Sequence, residues 1–368
     1  MRLSEAGVDL GAVTANARVI TEAAAGAEVM AVVKADGFGH GAVEVAGAAL
    51  AGGATRLGVT SVEEGLRLRA AGITAPVLSW LHAPFQRFDD ALRAHIELSA
   101  VSAGHLRAIA EAAERTGTIA KVHLKVDTGL SRNGAPAAAW ESLVATAGRL
   151  PGIEVRGIWS HLAGDEPEGV TTGEQIARFD EALRVAAKLG VRPRYRHLAN
   201  SAAALDAPAT HYDLVRAGIG LYGIEPVPGR RHGLRPAMTL TARLLLTKTV
   251  PAGTGVSYGH DHRTDRETLL GLVPLGYADG VPRPASGRAE VWVRGERRPV
   301  AGRIAMDQFM VDLGGLDATH GDEVVLFGPG DRGEPTAADW AAWAGTNPHE
   351  ILTGVGPRVP RHHHREDP

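Results

Sequence analysis

Residues 120–161 read AKVHLKVDTGLSRNGAPAAAWESLVATAGRLPGIEVRGIWSH. Two short runs rich in β-branched residues, Ala120–Asp127 and Glu154–His161, flank the segment Ala137–Leu150, whose Ala, Leu and Glu content is typical of a helix. A strand, a helix and a second strand in this order predict two parallel strands joined by a helical crossover. Repetition of this unit along the chain decides the fold.

The same alternation fills the first two-thirds of the chain. The eight strand-like runs are Glu28–Lys34, Arg56–Ser61, Ala75–Trp80, Ile96–Ser102, Ala120–Asp127, Glu154–His161, Tyr195–Asn200 and Leu214–Tyr222. Helix-like segments between them include Val62–Ala71, Ala103–Thr116, Ala137–Leu150 and Thr172–Leu189. Eight units in roughly 225 residues predict an α/β fold with an N-terminal (β/α)8 barrel, which typically takes about 250 residues. An open doubly wound sheet is the alternative, although no GxGxxG motif follows the first run.

A second domain is predicted after Tyr222. Residues 223–236, GIEPVPGRRHGLRP, form a Pro-, Gly- and Arg-rich connector without periodicity. The segments beyond it are β-branched and punctuated by Gly and Pro: MTLTARLLLTKTV, ETLLGLVPLGY, AEVWVRGERRPVAGRIAMDQFMVDLG and GDEVVLFG. We therefore predict a barrel over residues 10–232 and a mostly-β C-terminal domain formed by 1–9 and 233–368. The polar tail RHHHREDP is expected to fray as a solvated tail and not to bind metal.

Composition narrows the function classes. The chain has 368 residues, of which 44% are hydrophobic and 22% are charged, so a substantial core is expected. The net charge of −3 and the lack of a basic block give no support to a nucleic-acid partner. The absence of cysteine excludes disulfides, a thiolate zinc site and a cysteine nucleophile. No signal-peptide core or membrane-spanning run is apparent, so a cytoplasmic location without membrane contact is expected.

Polar and cationic residues gather at the ends of five of the predicted strands. In (β/α)8 barrels the active site lies at the carboxyl ends of the strands. The first run ends in Lys34, and the fifth leads through Lys125 and Asp127 to Arg132. The sixth ends at His161, the seventh ends at Asn200 and Ser201, and the eighth contains Arg216 and then Gly218. Five strands with such residues at the same end predict an active site.

Lys34 ends an apolar run and admits two interpretations. A lysine there is costly unless it is solvated, paired or used covalently. A single lysine is more often one whose amine reaches solvent past an apolar stem. The functional alternative is a Schiff-base lysine, because desolvation and cationic neighbours lower the pKa of an amine from about 10.4 and make it a nucleophile and a base.

The ends of the seventh and eighth runs suggest a phosphate site. The Ser201 hydroxyl and the backbone N–H groups near Gly218 and Ile219 could surround a phosphate, as the corresponding loops do in many barrels. A helix N-cap at Ser201 and a turn at Gly218 are equally good interpretations of each residue alone. A Schiff-base lysine opposite a phosphate site suggests pyridoxal 5'-phosphate (PLP) as cofactor.

Several motifs, in order along the chain, resemble those of alanine racemase, a fold-type III PLP enzyme. They are AVVKADGFGHG, KVDTGLSRNG, GIWSHLAG, RHLANSAA, DLVRAGIGLYG, GVSYGH, LGYADGVPR and GRIAMDQFMVDL. The resemblance extends from VDLGAVTAN to GPRVPR, which is nearly the whole chain. It implies an isomerase that makes D-alanine for the bacterial cell wall.

The resemblance implies roles for individual residues. Lys34 would bind the cofactor covalently and act as the base on one face of the substrate, and Tyr258 would be the base on the other face. Racemisation needs two bases, and tyrosine, with a reference pKa near 10, needs help to act as one. The family supplies that help through hydrogen bonds that would run from Tyr258 to His161 and Arg216. Arg216 would meet the pyridine nitrogen, which an arginine can hydrogen-bond without giving up a proton.

Further roles follow from the same resemblance. Lys125 resembles the lysine that the family carbamylates, which would turn a cation facing Arg132 into an anion. The remaining cofactor contacts would be Arg132, Asn200, Ser201, Gly218, Ile219 and His349. Substrate binding would involve Arg132, Met306, Asp307 and Tyr277, and Arg303 would lie near the entrance. The family is a homodimer in which Lys34 and Tyr258 of one active site come from different subunits.

The chain departs from the family pattern at several positions. Phe38 and His349 stand where the family usually has tyrosines whose hydroxyls reach the phosphate. Losing two donors to a charged group costs on the order of 1.5–3 kcal/mol each, so looser PLP retention is expected. The segment HLAGDEP is one residue shorter before its acidic residue, and Ala305 stands where cysteine is common. These two changes, with Asn347, alter the entrance and suggest broader substrate choice.

Three alternatives stay open at this point. A racemase that acts on serine as well as alanine is favoured by the changes at the entrance. A related decarboxylase is disfavoured, because those enzymes bring a glutamate to the pyridine nitrogen where this chain has Arg216. A non-catalytic PLP-binding protein is disfavoured by GVSYGH and the long β region, which such proteins lack.

Overall fold

The protein is described from a computed structural model covering residues 2–83, 85–164 and 169–365. The chain divides into two compact units. One contains residues 13–37 and 42–234, and the other contains residues 1–12, 38–41 and 235–368. The domain boundaries predicted from the sequence stay a prediction. The division does fall inside the predicted Pro- and Gly-rich connector, where residues 223–237 form neither helix nor strand.

The chain begins with strand β1 (Ser4–Asp9), and its next elements alternate between helices and strands. They are α1 (Leu10–Ala23), β2 (Glu28–Val32), the single turn α2 (Lys34–Phe38), α3 (Ala42–Ala51), β3 (Arg56–Val59), α4 (Val62–Ala70), β4 (Val77–Ser79), α5 (Asp89–Arg93), β5 (Ile96–Ala100), α6 (Ala103–Thr116), β6 (Ala120–Lys125), α7 (Ala137–Ala147), β7 (Ile153–Trp159), α8 (Val170–Lys188), β8 (Tyr195–His197), α9 (Ser201–Asp206) and β9 (Leu214–Ala217).

Strands β2 to β9 form one parallel sheet of eight strands, in the order β8-β7-β6-β5-β4-β3-β2-β9. Backbone bonds also connect the two outer strands of this order, since the Asp213 N–H donates to the Arg196 carbonyl at 3.1 Å and the Arg216 N–H donates to the Ala199 carbonyl at 3.1 Å. The result is a nearly closed barrel. The prediction of a (β/α)8 barrel is confirmed, and the open doubly wound alternative is wrong.

Local signals set the ends of the barrel helices, as α6 illustrates. The Ser102 hydroxyl accepts the His105 N–H at 3.2 Å, and Gly117 ends the helix with φ of 65°. Between these caps the residues Leu106, Ile109 and Ala113 are buried, which gives the helix one apolar face. The predicted range Ala103–Thr116 is therefore confirmed.

The second unit is built mainly from strands. They are β10 (Met238–Arg243), β11 (Leu246–Val250), β12 (Gly255–Val256), β13 (His262–Arg263), β14 (Thr268–Val273), β15 (Glu290–Val293), β16 (Glu296–Ala301), β17 (Phe309–Gly314), β18 (Glu323–Phe327) and β19 (Arg361–His364), with helices α10 (Ala337–Ala344) and α11 (Pro348–Gly354). Nine strands share one sheet in the order β11-β14-β17-β16-β15-β18-β10-β1-β19. The predicted mostly-β second domain is confirmed.

The expectation of a frayed tail is wrong for residues 361–364. They form β19, which pairs in parallel with β1. The Arg361 guanidinium anchors this strand by donating to the carbonyls of Gly39, Val355 and Val359 at 2.5–2.8 Å. A strand partner at the opposite end of the sequence therefore orders a segment that its polar composition marks as a solvated tail.

Two absences hold for the residues that the structure describes. None of their helices is long and apolar enough to cross a membrane. They also contain no group of three or more His, Asp or Glu side chains arranged to hold a metal ion.

Candidate active site

The side chains predicted at the strand ends lie at one end of the barrel, because its eight strands run parallel. Lys34 follows β2, and Lys125 is the last residue of β6. His161 follows β7, Asn200 and Ser201 follow β8, and Arg216 belongs to β9. The barrel thus brings together residues that are scattered along the sequence.

Lys34 opens a turn with an unusual backbone. Ala35, Asp36 and Gly37 have φ of 52° to 61°, and Phe38 has φ of 52°. The left-handed region costs most residues about 1–2 kcal/mol, so the turn is strained. A backbone bond from the Gly37 N–H to the Val33 carbonyl at 2.9 Å stabilises it, as does a 2.7 Å bond from the Ala35 N–H to the Glu64 carboxylate.

The strain can be measured through two glycines in this part of the barrel. Gly37→Ala is expected to lower the free energy of unfolding by about 1–2 kcal/mol, because it adds a Cβ at φ of 61° that would lie 3.3 Å from the Ala42 backbone. Gly47→Ala, in the middle of α3 with open space around it, is expected to raise it by about 0.5–1 kcal/mol. Urea unfolding of both variants beside the parent gives the comparison. Equal changes of the free energy of unfolding in the two variants would contradict the interpretation that the turn is strained.

The amine of Lys34 is partly buried and lies near one cation, Arg132, and one carboxylate, Glu64. Burial lowers the pKa of Lys34, the charge of Arg132 lowers it further, and the Glu64 carboxylate opposes the shift. The amine is therefore more readily deprotonated than that of an exposed lysine. This is the property that a nucleophilic or basic lysine needs.

Arg216 is buried and held by several partners. The Nη2 atom of its guanidinium lies within hydrogen-bond distance of three acceptors and shares its two N–H groups among them: the carbonyls of Ser160 at 2.8 Å and Leu198 at 3.1 Å, and Nδ1 of His161 at 3.2 Å. Its Cζ atom also lies 4.9 Å from the centre of the Trp159 ring. Burial lowers the pKa of Arg216 to about 9, so it still carries its charge at neutral pH.

His161 is neutral and its tautomer is determined. Burial and the charges of Arg216 and Arg132 lower the pKa of His161 to about 3. Because an arginine can only donate, the Nδ1 atom of His161 must accept the bond from Arg216. The ring proton therefore resides on Nε2, where it can be donated to another group.

Lys125 lies close to the same cations. Burial, Arg216 and Arg132 lower the pKa of Lys125 to about 8, while Asp127 opposes the shift. Its Nζ atom lies 4.3 Å from the centre of the Trp159 ring. The Asp127 carboxylate accepts the Gly129 and Ser131 N–H groups at 2.9 and 3.1 Å, which orders the loop that carries Arg132.

Ser201 contacts the backbone after β9. Its Oγ atom accepts the N–H groups of Gly218 at 2.8 Å and Gly220 at 3.3 Å. Asn200 is the N-cap of α9, since its side chain accepts the Ala203 N–H at 3.0 Å. The N-cap interpretation of Ser201 is therefore wrong by one residue. A hydroxyl that accepts two bonds keeps its own proton for donation to a further acceptor.

The predicted residues of the second unit lie largely at its surface. Tyr258, Met306 and Tyr277 are 70%, 53% and 44% exposed. The backbone beside Tyr258 is strained, with φ of 59° at Ser257 and 50° at His260. Three large side chains with this much exposed apolar surface, next to a strained backbone, are typical of a surface that contacts another molecule.

The loop around Tyr277 and Met306 is tightly built. The Tyr277 N–H donates to the Ala305 carbonyl at 3.0 Å, and the Asp307 carboxylate accepts a bond from Arg358 at 2.7 Å. The carbonyl of Ala305 would lie 2.3 Å from any Cβ at position 276, so Gly276 is required for this approach. Arg303 pairs with Asp261 at 2.5 Å.

Phe38 and His349, the two residues that stand in place of tyrosines, contact each other. Their ring centres are 5.9 Å apart and their planes are inclined by 43°. Phe38 is buried, whereas His349 is exposed. The remaining departure, in HLAGDEP, falls partly on residues 165–167, which lie outside the described residues.

Sequence reasoning missed several residues that the structure adds to this region. Glu64 could have been found, because Ser61 and Glu64 have the spacing of a capping box, S-x-x-E. Trp159 carries no such signal, because an aromatic residue in a strand is typical of a core. His123 and Glu97 carry a weaker signal, which is a polar side chain inside an otherwise apolar strand.

The fold and the site together define a class of protein. A (β/α)8 barrel joined to a β domain carries four cations, Lys34, Lys125, Arg132 and Arg216, at the carboxyl ends of its strands. This position in the barrel is typical of an enzyme active site, and its charge suits an anionic ligand.

Comparison with known proteins makes this more specific. Residues 8–226 match the family model of the alanine racemase N-terminal domain, and residues 237–363 match that of the C-terminal domain. The alanine racemase of Frankia casuarinae is 54% identical over 362 residues, covering 96% of this chain and 94% of that protein. That of Thermobifida fusca is 51% identical over 363 residues, with 97% of each chain covered.

Solved structures agree with the sequence comparison. Alanine racemase from D-cycloserine-producing Streptomyces lavendulae superposes with a TM-score of 0.97 at 48% identity, covering 100% of this chain and 98% of that chain. The Streptomyces coelicolor enzyme gives 0.96 at 50% identity, with 99% and 98% covered. The chain belongs to the alanine racemase family and is therefore an isomerase.

Proposed function

We propose that this protein interconverts L- and D-alanine with PLP as cofactor and two bases, Lys34 and Tyr258, and that it supplies D-alanine for peptidoglycan in the cytoplasm. The observation that carries the proposal is the buried Arg216, which donates to a neutral His161 beside a lysine of lowered pKa. The proposal keeps the domain boundaries predicted from the sequence, with a barrel over 10–232.

The residues at the barrel end fit PLP. The phosphate needs hydrogen-bond donors, and the Ser201 hydroxyl with the turn at Gly218 and Ile219 would supply them. The surplus of cations suits a dianionic group, and Asn200 would complete its surroundings by ordering α9. Arg132 and Arg216 would donate to the phenolic oxygen and the ring nitrogen. When bound, PLP stabilises negative charge at the substrate α-carbon by accepting electron density.

Lys34 has two tasks in this proposal. Its amine would hold the cofactor and then move the α-proton on one face of the substrate. The strained turn that follows Lys34 and the bond from Ala35 to Glu64 would fix the direction of the side chain. The lowered pKa of Lys34, caused by burial and Arg132, would make the amine easier to deprotonate than that of an ordinary lysine, as a base at this position requires.

Tyr258 would serve the opposite face. The Nε2–H of His161 would donate to the phenolic oxygen, which favours its ionised form. Arg216 would fix the ring of His161 by donating to Nδ1. Because Arg216 keeps its proton, this chain of bonds orients Tyr258 without competing for the proton that it moves.

We propose that the enzyme is a homodimer in which Tyr258 enters the active site of the partner subunit. The 70% exposure of Tyr258 and the strained backbone around it support a role in contact with a second chain. Tyr277 and Met306 would contribute to the same surface, and Arg132 with Met306 and Asp307 would receive the substrate carboxylate. Alanine is too small to exclude water from the site by itself, so the partner subunit would also exclude water by covering the site.

We propose that Lys125 is carbamylated. A carbamate forms from the neutral amine, and a pKa of about 8 gives Lys125 a substantial neutral fraction near pH 8. The negative carbamate would then orient Arg132, whereas the ammonium form repels it.

Carbamylation can be measured directly. After equilibration with 13C-bicarbonate, one labelled carbamate per chain is expected by 13C NMR, with occupancy rising from pH 6.5 to pH 8.5 as the amine deprotonates. The signal should be absent from Lys125→Met and present in Lys121→Met, which alters an exposed lysine of the same strand. A signal that persists in Lys125→Met would contradict the assignment.

The paired replacement of two tyrosines predicts weak cofactor retention. Phe38→Tyr combined with His349→Tyr is expected to lower the dissociation constant of PLP by at least about tenfold, because a bond to a charged group contributes about 1.5–3 kcal/mol. Equilibrium dialysis measures the constant. Phe85→Tyr adds a hydroxyl at a residue that is 89% exposed and is expected to leave it unchanged. Equal constants for the double variant and the parent would refute the idea.

The assay that tests the proposed function is direct. The purified chain with excess PLP is given L-alanine or L-serine, and formation of each D-enantiomer is followed by chiral chromatography. We expect alanine to be converted faster. Faster conversion of serine would favour the broader racemase suggested by Ala305, Asn347 and His349. Binding of PLP without conversion of either amino acid would favour a non-catalytic PLP-binding protein.

A further inference from the structure

A second row of buried polar side chains leads from Arg216 away from the proposed active site. The Arg216 guanidinium lies 3.3 Å from Nδ1 of His197, and Nε2 of His197 lies 2.9 Å from Nδ1 of His123. Nε2 of His123 lies 3.0 Å from the Glu97 carboxylate, which also pairs with Arg56. All five residues are at most 4% exposed. The proposed reaction uses only Arg216 among them.

Only one direction of hydrogen bonding fits these contacts. Arg216 can only donate, so Nδ1 of His197 must accept and its proton must be on Nε2. That proton is donated to Nδ1 of His123, whose own proton is therefore on Nε2 and is donated to Glu97. A carboxylate can only accept, so the row ends there. Reversing the direction would make an arginine accept a hydrogen bond.

The charges of the row agree with this direction. Burial lowers the pKa of both His123 and His197, so both rings are neutral. Burial opposes ionisation of Glu97, but the bond from His123 and the charge of Arg56 lower its pKa overall, so it is a carboxylate. One buried negative charge is thus connected to the buried positive charge of Arg216 through two neutral imidazoles.

The barrel makes room for this row at one glycine. Gly157 belongs to β7, which lies between the strands of His123 and His197. A Cβ at position 157 would lie 2.2 Å from Nδ1 of His123, the atom that meets His197. The contact between the two rings therefore depends on the absence of a side chain at Gly157.

We propose that Glu97 is a positioning residue for Arg216, acting through the tautomers of His123 and His197. Glu97 fixes the proton of His123 on Nε2, which leaves Nδ1 of His197 as an acceptor aimed at Arg216. The guanidinium is then held by His197 on one side and meets His161 on the other. In this position it would donate to the ring nitrogen of a bound cofactor. This inference rests on the proposed function of Arg216. It adds Glu97, a residue of β5 that is separated from Arg216 by the side chains of His123 and His197.

The wild-type protein gives the first test. With 15N-histidine incorporated into the full chain with PLP bound, two-bond NMR correlations report which ring nitrogen carries the proton. We expect His123, His197 and His161 all to be neutral with the proton on Nε2 across neutral pH. A charged ring, or a proton on Nδ1 of His123 or His197, would overturn the proposal. This measurement does not depend on enzyme activity.

Gly157→Ala gives the second test, because it separates the two rings without removing a polar group. We expect mixed tautomers at His197, an altered visible absorbance of bound PLP, and kcat lowered by about tenfold or more with KM changed by less than about threefold. Gly271→Ala is the control. It also forces a Cβ within 2.8 Å of a neighbouring side chain, but in β14 among leucines. It should keep the tautomers and the absorbance. Unchanged absorbance and kcat in Gly157→Ala would overturn the proposal.

A pair of double variants isolates the carboxylate if Gly157→Ala does not fold. Arg56→Met with Glu97→Gln removes both charges but keeps an acceptor for His123, whereas Arg56→Met with Glu97→Met removes the acceptor as well. We expect the tautomer of His197 to persist in the first and to be mixed in the second. The same result in both would contradict the role of Glu97. If the wild-type protein shows the expected tautomers but does not racemise alanine, the proposed function is refuted. The hydrogen-bond direction from Arg216 to Glu97 would still stand.

Discussion

Replacing Lys34 by alanine is expected to lower racemisation of alanine by at least on the order of 10³-fold. The reason is that two contributions are lost together. A positioned base alone is worth about 10²–10⁴-fold, and the amine also holds the cofactor. The loss should be the largest of any single substitution in the chain.

A covalent readout separates this role from a merely structural one. After reduction of the holoenzyme with borohydride, mass spectrometry is expected to find the cofactor attached to the peptide that contains Lys34. Lys34→Ala should retain no label after denaturation. Lys188→Ala, an exposed lysine at the end of α8, should retain both label and activity. Attachment to any other lysine in the parent protein would refute the assignment.

Replacing Tyr258 by phenylalanine is expected to lower racemisation in both directions by about 10²–10⁴-fold, the usual contribution of a general base. The variant removes one oxygen from a residue that is 70% exposed in the single chain, so the free energy of unfolding should change little. With Lys34 intact, one face of the substrate still has its base. In D2O the variant should therefore exchange the α-hydrogen of one enantiomer for deuterium without inverting it.

Proton NMR follows this exchange, and chiral chromatography follows the inversion. Tyr212→Phe is the matched control, because it removes a hydroxyl that bonds to Asp180 on the barrel exterior at 2.8 Å. The control should exchange and invert both enantiomers at the rate of the parent. Exchange of both enantiomers by Tyr258→Phe, or inversion at the rate of the parent, would show that Tyr258 is not the second base.

The exposure of Tyr258 also leads to a prediction about mixed dimers of two inactive variants. If Tyr258 acts in the partner's site, mixing inactive Lys34→Ala and Tyr258→Phe subunits should restore part of the activity. In a hybrid dimer one site receives both substitutions and the other receives neither, so a statistical mixture with half hybrids would regain about a quarter of the parental rate. Activity that never returns on mixing would argue for sites built within single chains.

Regular structure in this chain follows closely from local sequence. Each of the eight predicted runs overlaps a strand of the barrel, and α6 spans the predicted residues. These elements depend on side-chain periodicity and on caps such as Ser102 and Gly117, whose effects reach only a few residues along the chain. The strand ends predicted to carry the site also lie together, because parallel strands in one barrel place their carboxyl ends on one side.

Other features could not be predicted, because they depend on partners far apart in sequence. The tail was expected to fray, yet Arg361 pairs with Ala6 across nearly the full length of the chain. The left-handed turn after Lys34 contradicts local preference at Ala35 and Asp36, and the carboxylate of Glu64 helps to hold it. Neither pairing has a signal in its own segment.

The sequence by itself therefore determined the two-domain architecture, the family and the positions of Lys34, Tyr258 and Arg216 along the chain. Tertiary structure alone decided which polar groups meet, including the row from Arg216 to Glu97. The physical reason is the range of the forces involved. Backbone conformation and amphipathic faces are set within a few residues, whereas a buried polar group is stable only beside whichever partner the folded barrel brings to it.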